Sequence, residues 1–347
     1  MTIRNRSFVT SAVLMAGAML PGIAARAQDL PKTKAHQQFS VTQGFSQSTL
    51  PVLQRSGALD PNVVSSALLE KLRPGSAYQS TKAGARLRIT SDQFSLEVAG
   101  DGTAAEYQDL AVAAQAHSLG QPLSAEMPAA ELEQKGRAFI ASNLASQIVL
   151  AAEEELVAVR TDYRTEGGQE LATGAITQAV VANRIVFGRT LNGVPVVGNG
   201  SKVILTFTND GSLESFRYDW PAYQTADTRT ATQTVVNASE ILSRLQKVVS
   251  ARNGVAAPTS GVIVPSSQSA VFPLELTSNT QLQALDCGYF DAGSWARQTQ
   301  SIQPGCTYLA LSQDTNGTRT GYAGAVPAGA QFALDSAWRE TQILGEK

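Results

Sequence analysis

Histidine occurs only twice in this chain of 347 residues, as His36 and His117, and cysteine only twice, as Cys287 and Cys306. A catalytic zinc site of the His-Glu-x-x-His kind cannot be assembled from that set, and the motif itself does not occur. Metal binding through thiolates would need further Cys or His partners, and the two histidines lie far from both cysteines in sequence. There is no Gly-x-Ser-x-Gly elbow, and no serine stands three positions before a lysine, so the usual serine hydrolase signatures are missing. Gly198-Asn199-Gly200 lacks both the third glycine and the following helix of a phosphate cradle. Charged residues make up 16% of the chain and form no basic cluster, which argues against nucleic acid and against an anionic membrane surface as partners. No metal and no cofactor are expected. His117, in Ala116-His117-Ser118-Leu119-Gly120, reads as plain loop surface, and His36 falls in a polar leader.

The beginning of the chain is read as an export signal. Arg4 and Arg6 give a positive start, residues 8–23 are an apolar run, and Ala25-Arg26-Ala27 is the small-x-small pattern that precedes cleavage, here before Gln28. The run is shorter than the roughly 20 residues a spanning helix needs, and Pro21-Gly22 interrupts it. No cysteine lies near the cleavage site to carry a lipid, and Asn5 separates the two arginines, against twin-arginine export. The expected location is therefore periplasmic or secreted, with no stable membrane insertion once residues 1–27 are removed. Three of the 27 basic residues lie in that segment, so 24 basic residues face 29 acidic ones in the remainder, a net charge of −5. In an oxidising compartment an isolated cysteine pair is most simply one disulfide, so Cys287 and Cys306 are expected to be joined, worth on the order of 3 kcal/mol in the chain-entropy model.

The expected fold class is α+β, as repeated units of one helix plus an antiparallel sheet. Residues 28–58 are polar and aperiodic and read as a flexible leader. An N-terminal unit, 59–126, opens with Asp60 as N-cap and Pro61 at the first helical position, and Val64, Ala67, Leu68 and Leu72 follow on one face. A second unit, 127–224, opens with a helix over 128–144 whose stripe is Leu132, Gly136, Phe139, Ile140 and Leu144. Val157, Val159 and Tyr163 then alternate with Arg160, Asp162 and Arg164 in a strand that Gly167-Gly168 should turn. A Thr-rich spacer over 225–234 reads as a linker. The third unit, 235–331, starts with a helix carrying Ile241, Leu242, Leu245, Val248 and Val249 and continues as strands that include the disulfide; 332–347 is a tail.

Residues 181–220 read as three strands of a meander, broken at Leu191-Asn192-Gly193 and at Asn209-Asp210-Gly211. Asn192, Gly193, Asp210 and Gly211 suit the positive φ angles of tight hairpins. The second unit resembles PepSY domains and the fungalysin/thermolysin propeptide domain of exported bacterial proteins. The resemblance rests on the order helix, strand, strand and on Phe187 followed by Gly193-Val194-Pro195-Val196-Val197-Gly198, then a strand whose turn is Asp210-Gly211. It implies a cystatin-like fold, PepSY-like, in a free-standing relative without the peptidase. It also implies a peptidase inhibitor or chaperone-like role, with a secreted peptidase or other envelope protein as partner.

Other chemistry rests on carboxylates and aromatics. Asp219, Asp286 and Asp291 lie near strand ends beside aromatic residues, an arrangement a glycoside hydrolase could use. Glu153-Glu154-Glu155 reads as a solvated cluster. Tyr289, Phe290 and Trp295, with Tyr308, crowd the disulfide loop and are either a contact surface or core filling. The reading is an exported protein without catalytic residues that acts through protein–protein contacts. The alternatives are an envelope polysaccharide hydrolase using acidic residues and a carbohydrate-binding module.

Overall fold

A computed structural model describes residues 45, 47–116, 126–169, 176–225, 232–252, 274–277, 279–294, 301–313, 315, 317 and 319–330. The elements in chain order are β1 (Thr49–Pro51), β2 (Leu53–Ser56), α1 (Pro61–Leu72), β3 (Gln79–Ala83), β4 (Arg86–Thr90), β5 (Phe94–Ala99), β6 (Ala104–Asp109) and α2 (Leu110–Ala116). Next come α3 (Ala129–Phe139), continued by one π turn (Ile140–Leu144), then β7 (Glu154–Gln169), β8 (Ile176–Leu191), β9 (Val194–Gly198), β10 (Lys202–Thr208) and β11 (Leu213–Asp219). The remainder is β12 (Ala222–Thr225), β13 (Thr232–Thr234), α4 (Ala238–Arg252), β14 (Leu274–Thr277), β15 (Thr280–Asp291), β16 (Ser301–Gln313) and β17 (Arg319–Pro327).

Strands take 52% of the described residues and helices 22%, so the described part of the chain is mostly β. This corrects the expected α+β class of repeated helix-plus-sheet units. The described strands join one 15-stranded mixed sheet, apart from the small pair β1–β13. β6 pairs antiparallel with β11, so strands expected in separate units form one ladder, β3-β4-β5-β6-β11-β10-β8-β7. The core is shared as well. Leu96, Tyr107, Phe216, Leu205 and Ile185 are consecutive partners across five strands, and Leu68 of α1 and Leu132 of α3 belong to the same buried cluster. Each such side chain contributes about 1.5–3 kcal/mol when fully buried, and here that burial spans both sets of strands.

α1, α3 and α4 form where their termini and stripes indicate, whereas α2 is unexpected. Asp60 accepts the Asn62 N–H at 2.8 Å, Pro61 needs no amide partner in the first turn, and Val64, Leu68 and Leu69 face the core. In α3, Gly136 lies against the Phe187 ring so closely that a methyl there would overlap it, which lets the helix sit low on β8. α4 buries Ile241, Leu242, Leu245 and Val249 in a second cluster with Leu282, Tyr308 and Val326.

Other expectations change. Residues 49–56 of the expected leader supply β1 and β2, with Leu50 fully buried; residues 1–44 lie outside the described residues. Gly167-Gly168 continues β7 instead of turning it. The meander has four strands, not three. Asn192 (φ 50°) and Gly193 (φ 75°) turn β8 into β9, which stays beside β8 for two residue pairs only. β9 then runs parallel to β15, and β10 takes its place beside β8. Positive φ at Gly198 and Ser201 lets the chain make that step. Gly211 (φ 85°) closes the β10–β11 turn, where the Asp210 carboxylate accepts the Ser212 N–H at 2.9 Å.

Candidate functional site: a buried charge cluster at the β9 crossing

Where β9 leaves β8 for β15, the ends of β2, β11, β12 and β15 converge. Arg55 of β2 points into this junction and binds two carboxylates at once. Its Nη1 donates to Asp291 Oδ1 at 2.8 Å, and its Nη2 donates to Asp219 Oδ1 and to Ser294 Oγ. Both acids are sealed, with Asp219 2% and Asp291 1% exposed. Asp219 also accepts the Ser294 N–H at 2.5 Å and the Ser294 hydroxyl at 3.2 Å. Asp291 accepts the Gly293 N–H at 2.9 Å and the Tyr223 hydroxyl at 2.5 Å, and Tyr223 in turn meets Ser201 Oγ at 2.6 Å. Gly200 makes this possible: its N–H donates to the Asp291 carbonyl at 3.0 Å, and any Cβ there would overlap the Asp291 carboxylate.

Two further cations enclose the cluster. The Lys202 ammonium is buried, on a residue that is half-buried as a whole, and it donates to the carbonyls of Val196 and Gly200 at 2.6 and 3.3 Å. Arg189, 1% exposed, lies between the rings of Trp220 and Tyr223, 4.0 and 5.0 Å from their centroids. Its Nη1 donates to the Pro221 carbonyl at 2.8 Å and to Glu154 Oε1 at 3.3 Å. Glu154 is therefore a partner of a buried arginine, whereas Glu153 and Glu155 are exposed.

Burial sets the electrostatics. Desolvation pushes the Asp219 carboxyl up to about 6, helped by neighbouring Asp291 and opposed by Arg55 and the Ser294 N–H. Desolvation likewise pulls Lys202 down to about 8, against the attraction of Asp291, Asp286 and Asp219. Burial alone would lower Arg55, but Asp291 and Asp219 outweigh it and hold its pKa above the ordinary arginine value. Tyr223 is held well above the usual phenol value by burial and by Asp291, so it donates to that carboxylate.

Of the three aspartates singled out in the sequence, Asp219 and Asp291 are thus brought together on one guanidinium. Asp286 is half-buried further along β15. A glycosidase pair needs one acid and one base flanking a substrate; these two carboxylates flank Arg55. Tyr289 is buried with Leu50, Leu191, Val194, Val196 and Ile302, and burial pushes its hydroxyl up to about 12. Phe290 packs with Val197 and Ala325. Both rings fill core and present no contact surface, and Trp295 lies outside the described residues. Cys287 and Cys306 are joined across β15 and β16 as direct ladder partners. Among the described residues no group of three or more His, Cys, Asp and Glu side chains is placed to hold a metal ion, and no helix is long and apolar enough to cross a membrane.

Sequence reasoning missed Arg55, Arg189 and Tyr223. Arg55 sits in a stretch read as leader, and the one available signal was a lone arginine just after the short apolar run Leu50-Pro51-Val52-Leu53. No protein-family model matches the chain, and no curated protein matches it in sequence.

Proposed function

We propose that this is an exported protein without catalytic residues that acts through protein–protein contacts in the periplasm or outside the cell, in the manner of a peptidase inhibitor or chaperone-like propeptide relative. The observation that carries this reading is the fate of the hydrolase candidates. Asp219 and Asp291 are sealed from solvent and saturated by Arg55, Ser294, Gly293 and Tyr223, so as folded neither is free to meet a substrate. Export is supported by the signal pattern in residues 1–27, and the Cys287–Cys306 bridge suits an oxidising compartment. The propeptide-like role rests on the resemblance of residues 127–224.

The test is affinity capture with the purified, disulfide-intact chain against envelope and secreted fractions of its source, read by mass spectrometry and followed by peptidase assays. Stoichiometric recovery of a secreted peptidase whose turnover falls on binding supports the reading. Retention or breakdown of envelope polysaccharide with no protein held overturns it, and Trp295→Ala and Asp286→Asn become the variants that separate glycan binding from hydrolysis.

A further inference from the structure

The sealed carboxyl of Asp219 is joined to the surface by a chain of oxygens. Ser294 Oγ lies 3.2 Å from Asp219 Oδ1, Thr103 Oγ1 lies 2.8 Å from Ser294 Oγ, and Asp101 Oδ1 lies 2.9 Å from Thr103 Oγ1. Thr103 is buried, whereas Asp101, in the turn between β5 and β6, is exposed. The same Asp101 oxygen also accepts the Thr103 N–H at 3.1 Å, which fixes it at the outer end.

With both aspartates ionised, that chain is one hydrogen short. Each hydroxyl supplies a single hydrogen, so Ser294 and Thr103 bring two hydrogens to three oxygen–oxygen contacts. If Ser294 donates to Asp219 and Thr103 to Asp101, the 2.8 Å contact between the two hydroxyls has none. If Thr103 turns to Ser294, its contact with Asp101 has none. A proton on Asp219 Oδ1 completes the series: Asp219 donates to Ser294, Ser294 to Thr103, and Thr103 to Asp101. Ser294 Oγ then accepts from both Asp219 and Arg55 Nη2, which uses its two lone pairs.

The charges around Asp219 call for the same proton. Arg55 of β2 contacts both Asp219 and Asp291 of β15. Lys202, opposite Asp219 on β10, gives its hydrogens to the Val196 and Gly200 carbonyls. Arg189 of β8 is taken by Glu154 and the Pro221 carbonyl, and Tyr223 of β12 is neutral and donates to Asp291. Two sealed carboxylates therefore share one guanidinium. Burial, with Asp291 beside it, raises the Asp219 carboxyl to about 6.

We propose that Asp101, Thr103 and Ser294 form a proton relay between solvent and Asp219, and that the proton held there latches β2 over the junction. β2 is short, pairing with β12 over four residues and with β16 over two. When the proton leaves, the two acids carry one negative charge more than Arg55 neutralises. Lifting β2 then lets water reach them and lowers the cost of that charge. Asp219 is raised from 3.8, so the latched form is favoured in acid and loosens as pH rises through about 6.

The test uses the full chain with its disulfide intact. Carboxyl ¹³C NMR, assigned with Asp219→Asn, follows Asp219, and hydrogen exchange corrected for the intrinsic rate follows residues 53–56. Asp219 should titrate about one unit or more above an ordinary carboxylate. The opening constant of residues 53–56 should rise roughly tenfold or more from pH 4 to 7, and should stay level in Asp219→Asn. Thr103→Val separates the relay from burial. Without the Thr103 hydroxyl, Ser294 is free to donate to the Asp219 carboxylate, so the midpoint should fall by about half a unit or more. Burial alone predicts no change or a rise, since valine is the more apolar residue. Thr103→Ser should restore the wild-type midpoint, and Ser294→Ala, which keeps the N–H, should lower it as Thr103→Val does. An ordinary midpoint for Asp219 overturns the proposal. So does a Thr103→Val midpoint at or above that of the wild type, or exchange of residues 53–56 whose opening constant does not change with pH.

Discussion

Lys202 on β10 and Asp219 on β11 stand directly opposite each other in the ladder and turn to different partners. Lys202 closes the crossing from β9 to β10 by donating to Val196 and Gly200, whereas Asp219 takes Arg55 and Ser294. Each strains its own ionisation: burial makes the carboxyl harder to ionise and the ammonium easier to deprotonate.

The two groups predict opposite slopes of stability with pH. Asp219 is raised to about 6 from 3.8, so the folded chain holds a proton that the unfolded chain has released; this contribution is complete below the ordinary carboxylate value and is lost as pH rises to about 6. Asp219→Asn should remove a fall on the order of 2–3 kcal/mol across that window. Lys202 is lowered to about 8 from 10.5, so the unfolded chain binds the extra proton and stability rises between those values; Lys202→Met should abolish the rise. Urea midpoints measured from pH 4 to 10 on the wild type and both variants check the signs. Parallel curves for all three proteins would contradict them.

Local signals in the sequence carried their own elements. Asp60-Pro61 set the start of α1, the spacing of Leu132, Gly136 and Ile140 set α3, and Asn192-Gly193 set a two-residue turn, because each depends on residues a few positions apart. What the sequence did not disclose is pairing at long range. Nothing near Tyr107 or Phe216 announces that β6 and β11 lie side by side, and that one pairing turns expected separate sheets into a single ladder. The charge cluster was half legible. Asp219 and Asp291 stood out as acids at strand ends, but Arg55 lies 164 residues from one and 236 from the other, in a stretch whose polarity resembles a mobile leader.

Gly200→Ala and Gly193→Ala separate contact from backbone. Gly193 sits at φ 75° with open space around it, so alanine there costs about 1 kcal/mol of conformational strain. At Gly200 a methyl overlaps a carboxylate already fixed by Arg55 and Tyr223, and the overpacking should cost about 1–3 kcal/mol. Only Gly200→Ala should also alter the stability slope between pH 4 and 6, because only it displaces Asp291 from its place beside Asp219. Equal losses and unchanged slopes in both variants would show that the carboxylate is not rigidly held.

The Cys287–Cys306 bridge closes a loop between ladder partners, and Cys306 is fully buried against the α4 cluster. Replacing both cysteines with alanine should cost about 2–4 kcal/mol, mainly by freeing the unfolded chain. Denaturant unfolding of oxidised, reduced and double-alanine chains measures it. A loss below about 1 kcal/mol would mean that the β15–β16 ladder holds that loop in the unfolded ensemble without the bridge.

Arg55 is the residue on which the junction depends, and its variants distinguish a balanced cluster from incidental ion pairs. Arg55→Met keeps the stem but leaves two sealed carboxylates without their shared cation, and breaking a buried pair from one side costs about 3–5 kcal/mol. Arg55→Lys should recover little, since one ammonium cannot present the planar fork that reaches Asp291 with one nitrogen and Asp219 with the other. Adding Asp219→Asn and Asp291→Asn to Arg55→Met should restore part of the loss, because the uncompensated charges go with the guanidinium. A triple variant less stable than Arg55→Met alone would mean that the carboxylates hold the junction through Ser294, Gly293 and Tyr223, with Arg55 secondary.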